Sequence, residues 1–286
     1  MSCIKTLYQT DSPFYAVLGN PITHSQSPKI QQLFAQSVGI KCRYERIRVP
    51  LNNFTGTLNS LIAQGLQGCN ITVPFKLAAF STVNQHTERA QLAQAVNCLL
   101  RRPDHSWLAD NTDGAGLVAD LKRLRGTNHL NDLNGVRILI LGAGGAVQGS
   151  IAPLLAAGAI IHLANRTVSQ AHVIADLFNK AVTAHSLEET LPACDIIINA
   201  TSASLYGKTI QPNIGALKIH GVKTLAYDMM YAAKPTPFMQ WCSFHGADVA
   251  DGLGMLIEQA AESFYLWHGV RPDTQGVHQN SLIFRA

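Results

Sequence analysis

Residues 137–164 constrain this chain more than any other stretch. A strand-forming run, Arg137-Ile-Leu-Ile-Leu141, leads into Gly142-Ala-Gly-Gly145. An apolar helical segment follows, then Gly158 and a second apolar run from Ile160 to Ala164. Strand, glycine turn, helix and strand in that order make a βαβ unit, whose two strands lie parallel with the helix crossing over them. The first glycine permits a tight turn. The second lets the backbone approach a pyrophosphate held at the positive end of the helix. The spacing departs from Gly-x-Gly-x-x-Gly, because Val147 stands at the third glycine's place and Gly149 comes two residues later. A glycine run alone is a weak signal, and the flanking strand, helix and second strand give it weight. The expectation is a dinucleotide site over Gly142, Ala143, Gly144, Gly145 and Ala146.

The end of the second strand selects the dinucleotide. A site for the unphosphorylated cofactor carries Asp or Glu there to bind the ribose 2′-hydroxyl. This chain carries Asn165-Arg166-Thr167, without a carboxylate. A guanidinium matches phosphate geometry, so Arg166 points to a 2′-phosphate and hence to NADP. Thr167 and Gln170 also read as a capping box that opens the next helix, and the two readings are compatible.

Composition narrows the class. The chain has 286 residues, 47% hydrophobic and 14% charged, which suffices for one or two packed domains. The formal charge is +4 with no dense Lys/Arg run, which suits anionic small ligands and argues against a nucleic-acid partner. The most apolar stretch, Val136 to Ala164, is cut by glycines, Gln148 and Pro153, so no membrane span is expected. The six cysteines are far apart and never form Cys-x-x-Cys, and the N-terminus has no apolar signal core. A cytoplasmic protein with reduced thiols is the reading. No His/Cys grouping has metal-ligand spacing, so no metal is expected, and there is no serine-nucleophile elbow.

The first half alternates strand-like and helix-like runs. Strands are expected at Phe14–Leu18, Tyr44–Val49, Gly68–Val73 and Ala95–Leu100, with helices over 30–38 and 54–62 between them. That β-α-β-α-β order predicts a mostly parallel sheet. A second unit begins near Asp113 with a helix up to Gly126, a polar loop at 127–135, the βαβ unit, and later strands at 195–198 and 224–227. A last helix, 253–268, carries an apolar stripe through Leu253, Leu256, Ile257, Ala260, Ala261 and Phe264, with Met255 and Gln259 on another face.

Several polar residues stand out. Asn70 and Thr72 alternate with Ile71 and Val73, which places both on one face of a strand. Pro74 suits the first position of a helix. Lys76 then falls in that helix's first turn, where the dipole opposes a cation and eases proton loss, as a proton donor requires. The same dipole favours an ionised Asp113 at the head of the next helix; an ordinary N-cap aspartate and a surface lysine are the plainer alternatives. Ser27 before Pro28 reads as an N-cap. Together with Ser25 it places two hydroxyls at a helix start, suited to a carboxylate ligand.

These pieces together resemble the shikimate dehydrogenase family. The matching segments are Gly19-Asn-Pro-Ile-Thr-His-Ser-Gln-Ser-Pro28, Asn70-Ile-Thr-Val-Pro-Phe-Lys76, Ala95-Val-Asn97, Asp110-Asn-Thr-Asp-Gly114, Gly142-Ala-Gly-Gly-Ala146, Asn165-Arg-Thr167, Asn199-Ala-Thr-Ser202, Tyr227-Asp-Met-Met-Tyr231 and Asp251-Gly-Leu-Gly-Met255. They occur in the family's order over nearly the whole chain. The resemblance implies an α/β protein in which an N-terminal α/β substrate domain, 1–112 with 253–286, and a Rossmann-like NADP domain, 113–252, enclose a cleft. It implies reversible reduction of 3-dehydroshikimate to shikimate in aromatic amino acid and chorismate biosynthesis, with Lys76 as acid/base and Asp113 as its partner. Ser25 and Ser27 would meet the substrate carboxylate. Asn70, Thr72, Asn97, Asp113 and Gln259 would meet ring hydroxyls, and Tyr231 would touch the substrate. Thr201, Gly252 and Met255 would join the glycine loop and Asn165–Thr167 around the cofactor. The chain departs from many members at Gln170 and at Val147-Gln148, where positive charge is absent. A quinate/shikimate dehydrogenase with relaxed cofactor use is therefore a neighbouring reading, and a non-catalytic shikimate/NADP sensor a more distant one. Monomer and homodimer are both compatible with the sequence.

Overall fold

The computed structural model describes residues 13–126, 133–201, 203, 210–213, 218–219 and 222–284. The chain divides into two compact units. The first comprises Met1–Gln91, Ala95–Asn111 and Ala260–Asp273; the second comprises Leu92–Gln94, Thr112–Gln259 and Thr274–Ala286. No described helix is long and apolar enough to cross a membrane.

The first unit runs β1 (Phe14–Gly19), α1 (Ser27–Ser37), β2 (Tyr44–Arg48), α2 (Phe54–Ala63), β3 (Leu66–Ile71), α3 (Lys76–Thr82), β4 (Gln85–His86), α4 (Glu88–Ala93), β5 (Cys98–Arg101) and β6 (Trp107–Asp110). Its sheet has the order β2-β1-β3-β5-β6-β4. The helical crossovers place β1 parallel to both β2 and β3, as the β-α-β-α-β pattern requires. The other half differs from the expectation of a mostly parallel sheet, because β5 pairs antiparallel with β3 and with β6. A tight turn produces this hairpin: Arg102 N–H donates to the Ser106 carbonyl at 2.9 Å and the Asp104 carboxylate accepts from Ser106 N–H at 2.9 Å. Its turn residues, Pro103 and Asp104, suit a reversal. The core collects Leu18, Phe54, Leu58, Leu66, Ile71 and Leu99. Phe54 stacks on Phe75 at 5.4 Å.

The second unit runs α5 (Asp113–Arg125), β7 (Arg137–Leu141), α6 (Gly145–Ala156), β8 (Ile160–Asn165), α7 (Val168–Leu177), β9 (Val182–Ser186), β10 (Ile196–Asn199), β11 (Lys218–Ile219), β12 (Val222–Lys223), β13 (Leu225–Asp228), α8 (Pro237–Phe244), β14 (Asp248–Asp251), α9 (Leu253–His268) and α10 (Gln275–Gln279), with a closing 3-10 turn, Ser281–Phe284. Six strands form a wholly parallel sheet ordered β14-β13-β10-β7-β8-β9. Past Arg137, central strand β7 is apolar because both of its faces are covered. Ile138 and Ile140 pack into one cluster, Leu139 and Leu141 into the other. The chain leaves β7 toward β8 on one side and reaches β10 on the other, so the C-terminal ends of β7 and β10 form the switch point where such sheets bind ligands. Part of the expected 127–135 loop, residues 127–132, lies outside the described residues.

Helix α9 occupies the span that its apolar stripe predicts, with Leu253, Ile257, Ala260, Ala261 and Phe264 buried, while Leu256, expected in the same stripe, is only partly buried. Its C-terminal half belongs to the first unit. There Phe264 meets Phe34 edge-on at 6.0 Å, and the Trp267 indole donates to the Leu99 carbonyl at 3.0 Å. The indole lies over β3 at Gly68, where an added Cβ would come within 2.4 Å of Trp267 Nε1.

Candidate functional site

In the second unit the glycine turn sits at the switch point. Gly142 has φ +111°, a conformation side chains resist, and an added Cβ would stand 3.0 Å from the Thr201 methyl. Its N–H donates to the Ala164 carbonyl at 2.8 Å. Cβ atoms at Gly144 and Gly145 would meet nothing within 4 Å, so the loop backbone is bare on the side open to a ligand. Gly144 is the N-cap of α6, and no side chain caps this helix. The uncapped start of a twelve-residue helix, with its positive end, therefore opens where the glycine backbone is bare, the chemistry that attracts a phosphate. Val147, at the third glycine's place, is fully buried in the core. Gly149 serves the close approach instead, since its carbonyl lies 2.4 Å from where a Gly114 Cβ would be.

The loop after β8 is knitted by Asn165, whose side-chain amide donates to the Thr167 carbonyl at 2.9 Å and to Gln170 Oε1 at 3.0 Å. The expected capping box does not form: Thr167 is the N-cap of α7, but its side chain accepts no capping bond, and Gln170 is engaged by Asn165. Arg166 is exposed beside this loop. Gln148 donates to the Leu92 carbonyl at 3.0 Å. Beyond β10, Thr201 donates through its hydroxyl (2.7 Å) and its N–H (3.1 Å) to the buried Asn199 Oδ1.

Asp113 is the first residue of α5, with Thr112 as N-cap, and is buried. Helices α5 and α9 touch backbone to backbone nearby, because a Gly116 Cβ would lie 2.6 Å from Gln259 N. The Gln259 amide donates to the Leu256 carbonyl at 2.9 Å, and Thr112 Oγ1 donates to Gln259 Oε1 at 3.4 Å. Gly252 is required by contact, since its Cβ would strike the Met229 carbonyl at 2.1 Å. Tyr231 and Met255 are partly buried. Burial, with the Asp251 charge adding to it, pushes the Tyr231 phenol up and keeps it protonated.

The first unit holds Ser25, Ser27, Asn70, Thr72, Lys76 and Asn97. Ser25 donates to Ser27 Oγ at 3.2 Å and accepts from Ser27 N–H at 3.3 Å. Ser27 is not the N-cap expected of it. Gln26 takes that position, and Ser27 opens the helix itself. Its hydroxyl is thereby spared for the Ser25 pair and for a bond with the Tyr44 phenol. Arg46 Nε donates to the Ser25 carbonyl at 2.7 Å. Asn70 is engaged at both ends of its amide: the oxygen accepts from Tyr44 Oη at 2.8 Å, and the nitrogen donates to the Asn97 carbonyl at 3.1 Å and to Ser263 Oγ at 2.9 Å. Burial pushes the Tyr44 phenol far up, so it stays a neutral donor.

Thr72 lies just past the end of β3, its methyl 2.5 Å from where a Gly19 Cβ would be. Pro74 does not open the next helix. The backbone stays in a turn through Val73–Pro74 and Phe75, and α3 starts at Lys76 with only seven residues, so its dipole is short. The Lys76 carbonyl accepts from Val96 N–H at 3.0 Å, beside Asn97. A continuous polar network thus runs Ser25, Ser27, Tyr44, Asn70, Asn97. The sequence does not single out Tyr44, Arg46 or Ser263 as site residues. Tyr44 and Arg46 alternate on β2, a signal that was available, whereas Ser263 stands 193 residues from Asn70 and gives no local sign.

Residues 17–99 match the family described as the shikimate dehydrogenase substrate binding domain, residues 125–212 the shikimate / quinate 5-dehydrogenase family, and residues 252–279 the shikimate 5′-dehydrogenase C-terminal domain. The chain is 49% identical over 268 residues to a protein of Chromohalobacter salexigens named shikimate dehydrogenase (NADP(+)), covering 93% of this chain and 96% of that one. Among solved structures it is similar to an Ael1 enzyme from Pseudomonas putida, with TM-score 0.85 and 39% identity over 94% of this chain and 98% of that one. It is also similar to a shikimate 5-dehydrogenase from Thermus thermophilus in complex with NADP(H) and shikimate, with TM-score 0.79 and 30% identity over 96% of this chain and 100% of that one.

Proposed function

The chain belongs to the shikimate dehydrogenase family, and from that premise we propose that it catalyses the reversible, NADP-dependent reduction of 3-dehydroshikimate to shikimate. The observation that carries this reading is the polar network of the first unit, Ser25 and Ser27 through Tyr44 to Asn70 and Asn97, with Lys76 tied beside it. Such a set suits a small carboxylate with several hydroxyls. The bare glycine turn and the acid-free Asn165-Arg166-Thr167 segment support NADP as the second reactant.

The roles follow residue by residue. Ser25 and Ser27 hold the carboxylate; Asn70, Thr72, Asn97 and Gln259 meet the hydroxyls; Tyr231 touches the substrate. Gly142, Ala143, Gly144, Gly145 and Ala146 hold the pyrophosphate, Asn165, Arg166 and Thr167 the 2′-phosphate end, and Thr201, Gly252 and Met255 the nicotinamide end. The bound cofactor supplies the hydride. Lys76 delivers a proton from Nζ to the oxygen that becomes an alkoxide as the carbonyl is reduced, and its positive charge stabilises that oxygen. In the reverse direction the neutral amine takes the hydroxyl proton. Asp113 partners Lys76 and orients a substrate hydroxyl. Hydroxyl-by-hydroxyl recognition makes the enzyme selective, because an analogue lacking one group leaves a buried partner unpaired. In this reading 1–112 with 253–286 form the substrate domain and 113–252 the cofactor domain, and the enzyme works in the cytoplasm as a monomer or homodimer.

One observation favours broader use. Gln170 is neutral and bound to Asn165, so Arg166 carries the choice of cofactor, and some turnover with NAD⁺ is compatible with the site. The test is reduction of NADP⁺ by shikimate, followed by NADPH absorbance, in parallel with NAD⁺ and with quinate. Turnover confined to NADP⁺ and shikimate supports the reading. Absence of turnover with every pair overturns it.

A further inference from the structure

The mechanism leaves a buried polar pair unused. Asp120 on α5 and Tyr227 on β13 are both fully buried, and Tyr227 Oη donates to the Asp120 carboxylate at 2.8 Å. The tyrosine oxygen in turn accepts from Met255 N–H at 3.3 Å. Met255 is the third residue of α9, so this N–H is one of the four that a helix start leaves without an intrahelical partner. A directional chain results: Met255 N–H to Tyr227 hydroxyl to Asp120 carboxylate. Arg123 closes it from the far side with an ion pair to Asp120 at 2.7 Å. Burial pushes the Tyr227 phenol far up, so it keeps the proton that the chain needs.

A second observation points to the same place. A Cβ at Gly254 would lie 2.1 Å and 2.2 Å from the two Asp120 carboxylate oxygens, so the carboxylate rests against the bare Cα of α9's first turn. One turn along each helix, Gly116 and Gln259 make the backbone contact already described. The buried pair and the two glycines therefore fix both the depth and the rotation of the α9 start.

We propose that Asp120 and Tyr227 are positioning residues for the nicotinamide end of the cofactor, acting through Met255 by holding the first turn of α9 in place. This rests on the reading that Met255 lines the nicotinamide. Neither residue touches a reactant. Their effect is on the angle and distance at which hydride is passed, and misplacement by a fraction of an ångström slows that step without weakening substrate binding.

Tyr227→Phe removes one oxygen and keeps the ring. The measurements are kcat, the two KM values and the primary deuterium isotope effect on kcat with 4-deuterated NADPH, at a temperature where circular dichroism shows the variant folded. The expected result is a kcat lower by about tenfold, a KM for 3-dehydroshikimate within about twofold of wild type, and a larger isotope effect. A purely structural role would lower the melting temperature and leave kcat and the isotope effect unchanged in the folded variant, which would overturn the proposal. If Tyr227→Phe does not fold, Asp120→Ala and Asp120→Asn decide. The alanine variant loses the acceptor and is expected to show the same loss, while asparagine retains an oxygen for the tyrosine proton and recovers most of it. Equal kcat in Asp120→Ala and wild type would overturn the proposal. A wild-type enzyme without turnover would instead sink the functional reading, so the two failures are distinguishable.

Discussion

The side-chain amide of Asn70 donates to Ser263 Oγ at 2.9 Å and thereby ties strand β3 to the C-terminal half of helix α9 inside the first unit. Both side chains are buried, Ser263 completely. The second amide proton goes to the Asn97 carbonyl, and the amide oxygen accepts from Tyr44. Asn70 is the hub of the polar network, held in one orientation from three sides.

Ser263→Ala leaves one buried Asn70 N–H without a partner. A stability loss of about 1–3 kcal/mol is expected, the cost of an unsatisfied buried donor. The Asn70 side chain also gains freedom to turn, so the KM for 3-dehydroshikimate rises while the KM for NADPH does not. Urea unfolding and steady-state kinetics check both. An unchanged substrate KM would show that Asn70 needs no fixing from α9.

The contrast between Ser263 and its helix shows what was legible. The span 253–268 could be read from its apolar spacing alone, and α9 occupies it. The glycine turn and its flanking strands were equally plain, because covered parallel strands must be apolar throughout. Strand direction was not: Cys98–Arg101 carries no mark of being antiparallel, and Trp107–Asp110 gave only four residues of signal. Helix starts were misjudged by one or two residues at Ser27 and Pro74, where proline suggested a boundary that the backbone sets elsewhere. Contacts such as Tyr44 to Asn70, or Asp120 to Tyr227, depend on elements far apart in sequence meeting in the fold, and no local pattern encodes them.

Arg89 and Asp110 make the first unit sensitive to acid. Burial alone would push the Asp110 carboxyl up. Hydrogen bonds and charge from Arg89, with bonds from Thr87 and the Asn111 N–H, outweigh burial and hold it below the ordinary range. A carboxylate with a lowered folded pKa stabilises the fold above its unfolded value of about 4, and the contribution is lost as pH falls through the folded value. Arg89→Met strands a buried carboxylate and reverses the sign, since burial then favours the protonated form. Removing one partner of a buried pair costs about 3–5 kcal/mol, and because Arg89 keeps 27% exposure the expected loss near neutral pH is smaller, about 2–4 kcal/mol. The gap to wild type should narrow at low pH. Urea unfolding at neutral pH and near pH 4 measures it; a gap that widens on acidification contradicts the assignment.

Gly142→Ala tests the glycine turn. The residue has φ +111°, and the added methyl would press on Thr201. Strain of about 1–3 kcal/mol is expected from the backbone conformation alone. The turn relieves it by shifting, which moves the N-terminus of α6 relative to the phosphates that the proposed reading places there. The KM for NADPH should rise about tenfold or more, with the KM for 3-dehydroshikimate little changed. Gly144→Ala, whose methyl meets nothing within 4 Å of protein, should leave stability intact and weaken the cofactor alone. Thermal unfolding and cofactor titration separate the two variants, and equal cofactor affinity for Gly144→Ala and wild type would remove the phosphate from this loop.

In the proposed reading, cofactor choice rests on Arg166. It is exposed, the loop around it is held by Asn165, and Gln170 supplies no charge. A guanidinium pairing with a 2′-phosphate gains charge-assisted hydrogen bonds that the bare hydroxyl of NAD⁺ cannot return in kind. Arg166→Ala should therefore lower kcat/KM for NADP⁺ by about tenfold to a hundredfold, equivalent to about 1.4–3 kcal/mol, while kcat/KM for NAD⁺ stays within about twofold. Gln170→Arg works in the opposite direction: it adds a second cation on the first turn of α7 at the cost of the Asn165 bond, and should raise the preference for NADP⁺ and make it steeper in low salt. Parallel kinetics with both cofactors at two ionic strengths decide the matter. If Arg166→Ala slowed both cofactors equally, the residue would serve the shape of the loop rather than the phosphate, and discrimination would have to come from elsewhere in the second unit.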